Sequence, residues 1–408
     1  MDGSWDRNLK IYIWNGILYS IMLNLYSPFA VKFLERLGGN ELHISLFNAL
    51  PGLVAVFATL PGMLLVLRFP QKKKVTALFF LLSRVFLLFL AFVPWMPRNW
   101  QPFVFVLLFS LRNFPDSVSQ SALQSFSGDL FSPEARSTAI ALRNRFSIPA
   151  TLVVTFAAGK ILSDLASSAS SILHTYQVFF LLAFLIGVAE IIVFLLFKEP
   201  PASGVSSSPQ ILGSIRTVLK DRNFRSFAQT SLIFYFTWQM GWPLFNIYQI
   251  ITLGADEWWL SLIAIFSSIG MFTGYKFWNE MIRRKGNRFV MWATTLGMAL
   301  NPLIMLLSNK LYVFTALNLI LGFFTAGTVT VLLSYLLEVT PDENRVVYIG
   351  VYNTLVNISL AVSPFAAHLV LRQSNIYIAI IIVAALRFTS SMIFFFSNRK
   401  AGTVGIKA

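Results

Sequence analysis

KEPPASGVSSSPQILGSIRTVLKDR, residues 198–222, is the longest polar stretch in the chain. Pro, Ser and Gly make its first part flexible. Its later part, Ile211-Leu212 through Val218-Leu219 with Arg216 and Lys220 between, has the pattern of a short amphipathic helix on a membrane surface. Apolar blocks of roughly 20 to 28 residues lie on either side, each long enough to cross a hydrocarbon slab about 30 Å thick as a helix. The stretch divides these blocks into two sets of six.

The spans are expected at about 9–34, 43–68, 75–97, 102–127, 138–163, 174–197, 224–250, 257–279, 288–308, 310–337, 344–371 and 375–397. Of the 408 residues 56% are apolar and 12% charged, where a soluble protein carries about a quarter charged. The fold class is therefore an all-α polytopic membrane protein of twelve transmembrane helices. The expected domains are a six-helix bundle over 1–200, a linker over 201–222 and a second six-helix bundle over 223–408.

The net charge of +15 is suggestive of nucleic-acid binding until its distribution is read. The basic residues are scattered over short loops beside apolar blocks, which carries topology and makes no phosphate-binding stripe. With the gaps assigned alternately to two sides, 23 Lys and Arg fall on one side and six on the other. Basic loops stay in the cytoplasm, so both termini and residues 198–222 are expected there. The first apolar block is too long for a signal h-region and shows no small-residue cleavage site, so it is expected to remain as the first span.

Cysteine is absent, which excludes disulfides, thiolate metal sites and cysteine nucleophiles. His43, His174 and His368 are far apart, so no metal cluster is expected. No P-loop lysine, HExxH or GxSxG is present. The sequence points to no enzyme and no cofactor.

The two halves are related. Asp6-Arg7-Asn8 returns as Asp221-Arg222-Asn223, and Pro28 as Pro243, at an offset of 215. Leu37-Gly38, Glu41 and Ser45-Leu46 return as Leu253-Gly254, Glu257 and Ser261-Leu262 at 216. Asp129, Arg136 and Asn144 return as Glu338, Arg345 and Asn353 at 209. Matches in order, with offsets that shift only across loops, indicate duplication. Parallel six-helix repeats are one plan of secondary transporters.

Over nearly its whole length the chain resembles a major facilitator superfamily transporter. The resemblance rests on the six-plus-six arrangement, the long linker and the basic loops RFPQKKK (68–74) and RRKGNR (283–288). Those loops stand where the family often has Gly-x-x-x-Asp-Arg-x-Gly-Arg-Arg, and both lack its Asp. DLFSPEAR (129–136) and EVTPDENR (338–345) match the family's acid-to-arginine loops more closely. The resemblance implies that Asp129, Arg136, Glu338 and Arg345 hold the halves together on the cytoplasmic side. It also implies a monomer, a substrate site between the halves, and a cavity lined by the first, fourth, seventh and tenth helices.

Five charges read as intramembrane: Arg84, Arg112, Asp116, Glu190 and Arg387. Unpaired at the bilayer centre they would cost roughly 12–18 kcal/mol together, more than a typical domain's stability of about 5–15 kcal/mol. Most must meet water or partners. Arg112 and Asp116 are four apart, so they share a helical face and are expected to pair, with Pro115 kinking the helix between them. Asp116 is a candidate proton carrier, Arg112 its tuner; a static ion pair is the other reading. Glu190 reads equally as a second titrating group or as a partner for a residue such as Arg84. Arg84 and Arg387, on helices that are peripheral in the family, are expected to snorkel or to contact lipid headgroups.

Asn15, Tyr19, Met22 and Tyr26 follow i, i+4, i+7, i+11 spacing, as do Tyr235, Gln239, Trp242 and Asn246. Aromatic walls with a few amides suit a medium-sized organic substrate, with Arg112 as a further ligand. Tyr26, Trp242 and Asn246 read equally as residues of the outer interface belt.

The expected function is secondary transport by alternating access in the cell membrane. Its partners are the lipid bilayer, a small-molecule substrate, and protons or another coupling ion. Export of small organic molecules in exchange for protons is the first reading. Proton-coupled import of an anionic or sugar-like solute held by Arg112 is the second. A transporter-shaped sensor or scaffold without flux is a third, from another class.

Overall fold

A computed structural model describes residues 3–67, 72–131, 133–165, 169–198, 211–308, 310–341 and 345–402. These residues form helices and contain no strand. Buried in hydrocarbon, a backbone must satisfy its own N–H and C=O groups, and the helix does so within one segment.

The first half holds α1 (Gly3–Asn24), the short α2 (Ala30–Arg36), α3 (Glu41–Leu67), α4 (Lys72–Phe92), α5 (Gln101–Leu130), α6 (Pro133–Asp164) and α7 (Ala169–Leu195). The second holds α8 (Ile211–Lys220), α9 (Arg222–Ile247), α10 (Glu257–Leu306), α11 (Leu311–Glu338), α12 (Arg345–Gln373) and α13 (Ile376–Gly402). Two expectations change in detail. The first span is broken between α1 and α2 by the Ser27–Phe29 turn, where Pro28 stands. The eighth and ninth spans run on as α10, whose two arms meet at Gly286 in the left-handed region (φ 77°).

Among the described residues nine spans are long and apolar enough to cross a membrane, α10 with its two arms among them. The two long helices outside that set are α5 and α9. They carry Arg112 and Asp116 on α5 and Tyr235, Gln239 and Asn246 on α9 among their polar residues.

The chain falls into two compact units, 1–43 with 53–209 and 44–52 with 210–408. Their internal packing is alike. In the first, α1 packs on α6 and α7, and α4 on α5 and α7. In the second, α9 packs on α12 and α13, and α10 on α11 and α13. The repeat seen in the sequence has a backbone counterpart as well. Gly38 (φ 91°) and Gly254 (φ 67°) are both left-handed, a conformation glycine takes without steric cost. Each precedes a helix that opens on a glutamate, Glu41 or Glu257.

The core of the first unit is strongly aromatic. Phe33 meets Phe105, Tyr176 and Phe180 at 4.5–5.4 Å between ring centroids. In the second unit Phe227 stacks on Tyr352 and meets Tyr335. The amphipathic helix expected over 211–220 forms as α8, with Val218 buried in the core of the second unit. Residues 199–210 of the linker lie outside the described residues.

Candidate functional site

The charged centre of the first unit is built around Arg84 on α4. Its side chain is fully buried, so it neither snorkels nor reaches headgroups, as the sequence suggested. Nε and Nη2 donate to Glu190 Oε2 on α7 at 3.2 and 2.8 Å. Nη1 donates to Asp116 Oδ1 on α5 at 3.2 Å. Ser83 Oγ accepts from Arg84 Nη1 at 3.0 Å and donates to the same Asp116 oxygen at 3.1 Å. Gly187 leaves room for the arginine stem, since a Cβ there would meet Arg84 Cδ. The Phe80 and Tyr19 rings lie 5.3 and 5.7 Å from the guanidinium carbon.

Two carboxylates on two helices thus share one arginine on a third. They differ in exposure: the Asp116 side chain is 15% accessible and that of Glu190 1%. Glu190 Oε1 also accepts a long hydrogen bond from Asn15 Nδ2 at 3.5 Å. Asn15, expected on a cavity wall, is therefore buried inside the first unit.

The Arg112–Asp116 ion pair expected from four-residue spacing does not form. Asp116 is taken by Arg84, and Arg112 turns to the rings of Phe109 and Tyr26 at 5.2 and 5.6 Å. Helical spacing brings two side chains to one face, but an approach from a neighbouring helix can be closer, and only packing reveals it. Tyr26 has no exposed surface and packs against Phe180 and Phe109, so it is not a belt residue. Its hydroxyl and Arg112 Nε are buried without a hydrogen-bond partner.

In the second unit the α9 stripe is divided. Gln239 is buried and ties α9 to α12: its Oε1 accepts from Ser359 Oγ at 2.8 Å and its Nε2 donates to the Val356 carbonyl at 3.5 Å. Tyr235, Trp242 and Asn246 are half-buried, and Trp238 lies between the first two at 5.7 and 6.0 Å from their rings. A cavity of about 530 Å³ lies elsewhere in this unit, lined by Asp221, Asn223, Arg288, Tyr335 and Glu338 among others, and does not reach the stripe.

Arg387 on α13 is also fully buried, against the expectation of lipid contact. It donates to three backbone carbonyls, those of Thr237 (3.3 Å), Trp238 (2.8 Å) and Met298 (3.1 Å), and lies 4.9 Å over the Phe245 ring. Of the four loop charges, Glu338 is exposed and accepts from Asn287 Nδ2 at 2.5 Å. The side chains of Asp129, Arg136 and Arg345 lie outside the described residues.

Sequence reasoning missed Ser83 and undervalued Arg84. The signal was present: an arginine and a glutamate, each alone in an apolar run, lower each other's insertion cost by meeting. Arg143 is one of the 23 basic residues that the gap assignment puts on the basic side. That residue lies within α6, its Cζ 4.8 Å over the Tyr12 ring and its stem against Gly16.

The family model of the Major Facilitator Superfamily matches residues 13–276 and 230–407. No curated protein sequence matches the chain. Among solved structures, the nucleoside transporter NupG superposes with a TM-score of 0.74 at 12% identity, covering 94% of this chain and 99% of its own. A POT family transporter in complex with 5-aminolevulinic acid gives 0.68 at 12% identity, with 97% and 96% covered. A bacterial homolog to the human lysosomal transporter Spinster gives 0.64 at 12% identity, with 97% and 98% covered. At this identity the likeness is one of fold.

Proposed function

The chain belongs to the major facilitator superfamily, and on that premise we propose that it moves a small organic molecule by proton-coupled alternating access. One observation supports the coupling most: a single buried guanidinium holds two carboxylates of unequal exposure. A proton reaching the more accessible Asp116 removes one of the two anions on Arg84. Arg84 then belongs to Glu190 alone, and the tie from α4 to α5 is weakened while the tie from α4 to α7 remains. A proton thus becomes a change in helix packing, as coupling requires.

Tyr19, Tyr26 and Arg112 in the first unit, and Tyr235, Gln239, Trp242 and Asn246 in the second, are proposed to contact the substrate. Asn15 acts behind them by holding Glu190. Asp129 with Arg136 and Glu338 with Arg345 are proposed to close the cytoplasmic side. The protein is proposed to act as a monomer in the cell membrane with both termini in the cytoplasm.

Two directions fit. Export in exchange for protons follows from the aromatic walls, and import with protons from an Arg112 that Asp116 does not occupy. Flux under an imposed pH gradient separates them. A thermal-shift screen of compound classes at two pH values first supplies a substrate. In proteoliposomes Asp116→Asn should then abolish proton-driven counterflow and leave substrate binding measurable. Unchanged counterflow removes Asp116 from coupling, and a wild-type protein that binds but moves nothing is a sensor.

A further inference from the structure

Two polar atoms on neighbouring side chains of the first unit are buried without hydrogen-bond partners. Arg112 Nε and the Tyr26 hydroxyl each lack a hydrogen-bond acceptor or donor, although Arg112 is only 7% exposed and Tyr26 not at all. Arg112 Cζ lies 5.6 Å from the Tyr26 ring centre. A donor left unsatisfied away from water costs about 1–3 kcal/mol, more when it is charged. The charge count is equally lopsided. Arg84 contacts both carboxylates, while among the described residues Arg112 faces the Tyr26 and Phe109 rings and pairs with neither carboxylate.

Resting on the transporter reading above, we infer that Arg112 Nε and the Tyr26 hydroxyl bind the carboxylate of an organic anion. Both are donors, and a carboxylate offers two acceptor oxygens and the missing negative charge. The half-buried Phe109 ring, which packs on Tyr26, suits a flat apolar body attached to that carboxylate.

With Arg143 on α6, which acts on Glu190, the set of Arg84, Arg112, Arg143, Asp116 and Glu190 carries one net positive charge when all are ionised. The groups acting on Arg112 and Tyr26 are Asp116 on α5, Arg84 on α4, Glu190 on α7 and Tyr19 on α1. A bound carboxylate brings that set to neutrality.

Benzoate, benzamide and benzamidine share one ring and differ in charge, which makes them the probes. The chain lacks cysteine but has ten tryptophans, so unfolding of the purified full-length protein is followed by intrinsic fluorescence. Benzoate is expected to raise the wild-type midpoint while the other two do not. Arg112→Gln is expected to abolish the shift, and Tyr26→Phe to weaken binding roughly tenfold, the value of one hydrogen bond to a charged group. Arg112→Lys, which keeps the charge and alters the fork, should retain a weakened response and guards against a variant that fails to fold.

No benzoate shift in the wild type, equal shifts for benzoate and benzamide, or a full shift in Arg112→Gln would each overturn the inference. Its failure is separable from that of the coupling. If Asp116→Asn leaves proton-driven counterflow intact while benzoate still needs Arg112, the anion site stands and the coupling falls. If benzoate is ignored while Asp116→Asn abolishes counterflow, the reverse holds.

Discussion

Arg387 donates to the carbonyl of Met298 at 3.1 Å, and that carbonyl is free because Pro302, four residues later, has no N–H to return to it. A helix break and a buried cation thus satisfy each other. The same guanidinium reaches the Thr237 and Trp238 carbonyls, so α13 grips α9 and α10 together. Gly241 permits the approach, since a Cβ there would strike Arg387 Nη2.

Pro302→Ala restores a helical donor to Met298 and makes Arg387 partly redundant. Arg387→Met should then cost less in the Pro302→Ala background than in the wild type. A double-mutant cycle on chemical denaturation is expected to give a coupling of about 0.5–3 kcal/mol, and strict additivity would speak against the link.

Glu190 and Asp116 share Arg84 but should not be equal in stability. Removing one partner of a buried ion pair leaves an uncompensated charge and costs about 3–5 kcal/mol. Glu190→Gln, at the inaccessible end, is expected near that range. Asp116→Asn should cost clearly less, because water reaches its side chain and Ser83 Oγ remains. Thermal melts of the two variants decide it, and equal losses would contradict the difference in burial.

Gly270 on α10 and Gly322 on α11 let two backbones touch. A Cβ at Gly270 would run into the Leu319 carbonyl oxygen, and one at Gly322 into that of Ser267. Backbone cannot turn aside, so either change to Ala should force the helices apart and destabilise by about 1–3 kcal/mol. At Gly297 the obstacle is the Phe324 ring, which can rotate, and Gly297→Ala should cost less. The folded yields and melting points of the three variants test the ranking.

Asp221 caps α9, accepting from the backbone N–H of Asn223 and Phe224 at 2.9 and 3.2 Å and from the Tyr348 hydroxyl at 3.0 Å. Asp221→Ala is expected to cost about 1 kcal/mol by loss of the cap. Tyr348→Phe should lose a smaller part of the same stabilisation. A denaturation series on both variants checks the order.

Orientation is open to a direct test because the chain has no cysteine of its own. A cysteine at Ser206 in the linker should react with an impermeant maleimide only from the cytoplasmic side. One at Asn99, in the gap between the third and fourth expected spans, should react only from the opposite side. Reversed labelling would overturn the assignment drawn from the basic loops.

The all-α fold, the positions of the spans and the relation between the halves were legible in one dimension. Each depends on runs of apolar residues, on glycines such as Gly38 and Gly254, and on charges in gaps, and none needs a distant contact. The candidate site was legible only in its inventory. Arg84, Arg112, Asp116, Glu190 and Arg387 stood out as charges in apolar runs, but their partners did not.

Spacing along a helix reports which residues share a face, so it joined Arg112 to Asp116 and separated Arg84 from both. Insertion into hydrocarbon is decided residue by residue, and the chain alone specifies it. Pairing of buried charges is settled by whichever helix comes nearest. Arg84 reached from α4 to Asp116 on α5 and Glu190 on α7, and Arg387 found a carbonyl that Pro302 had released, because a charge without water takes the closest partner the packed helices offer.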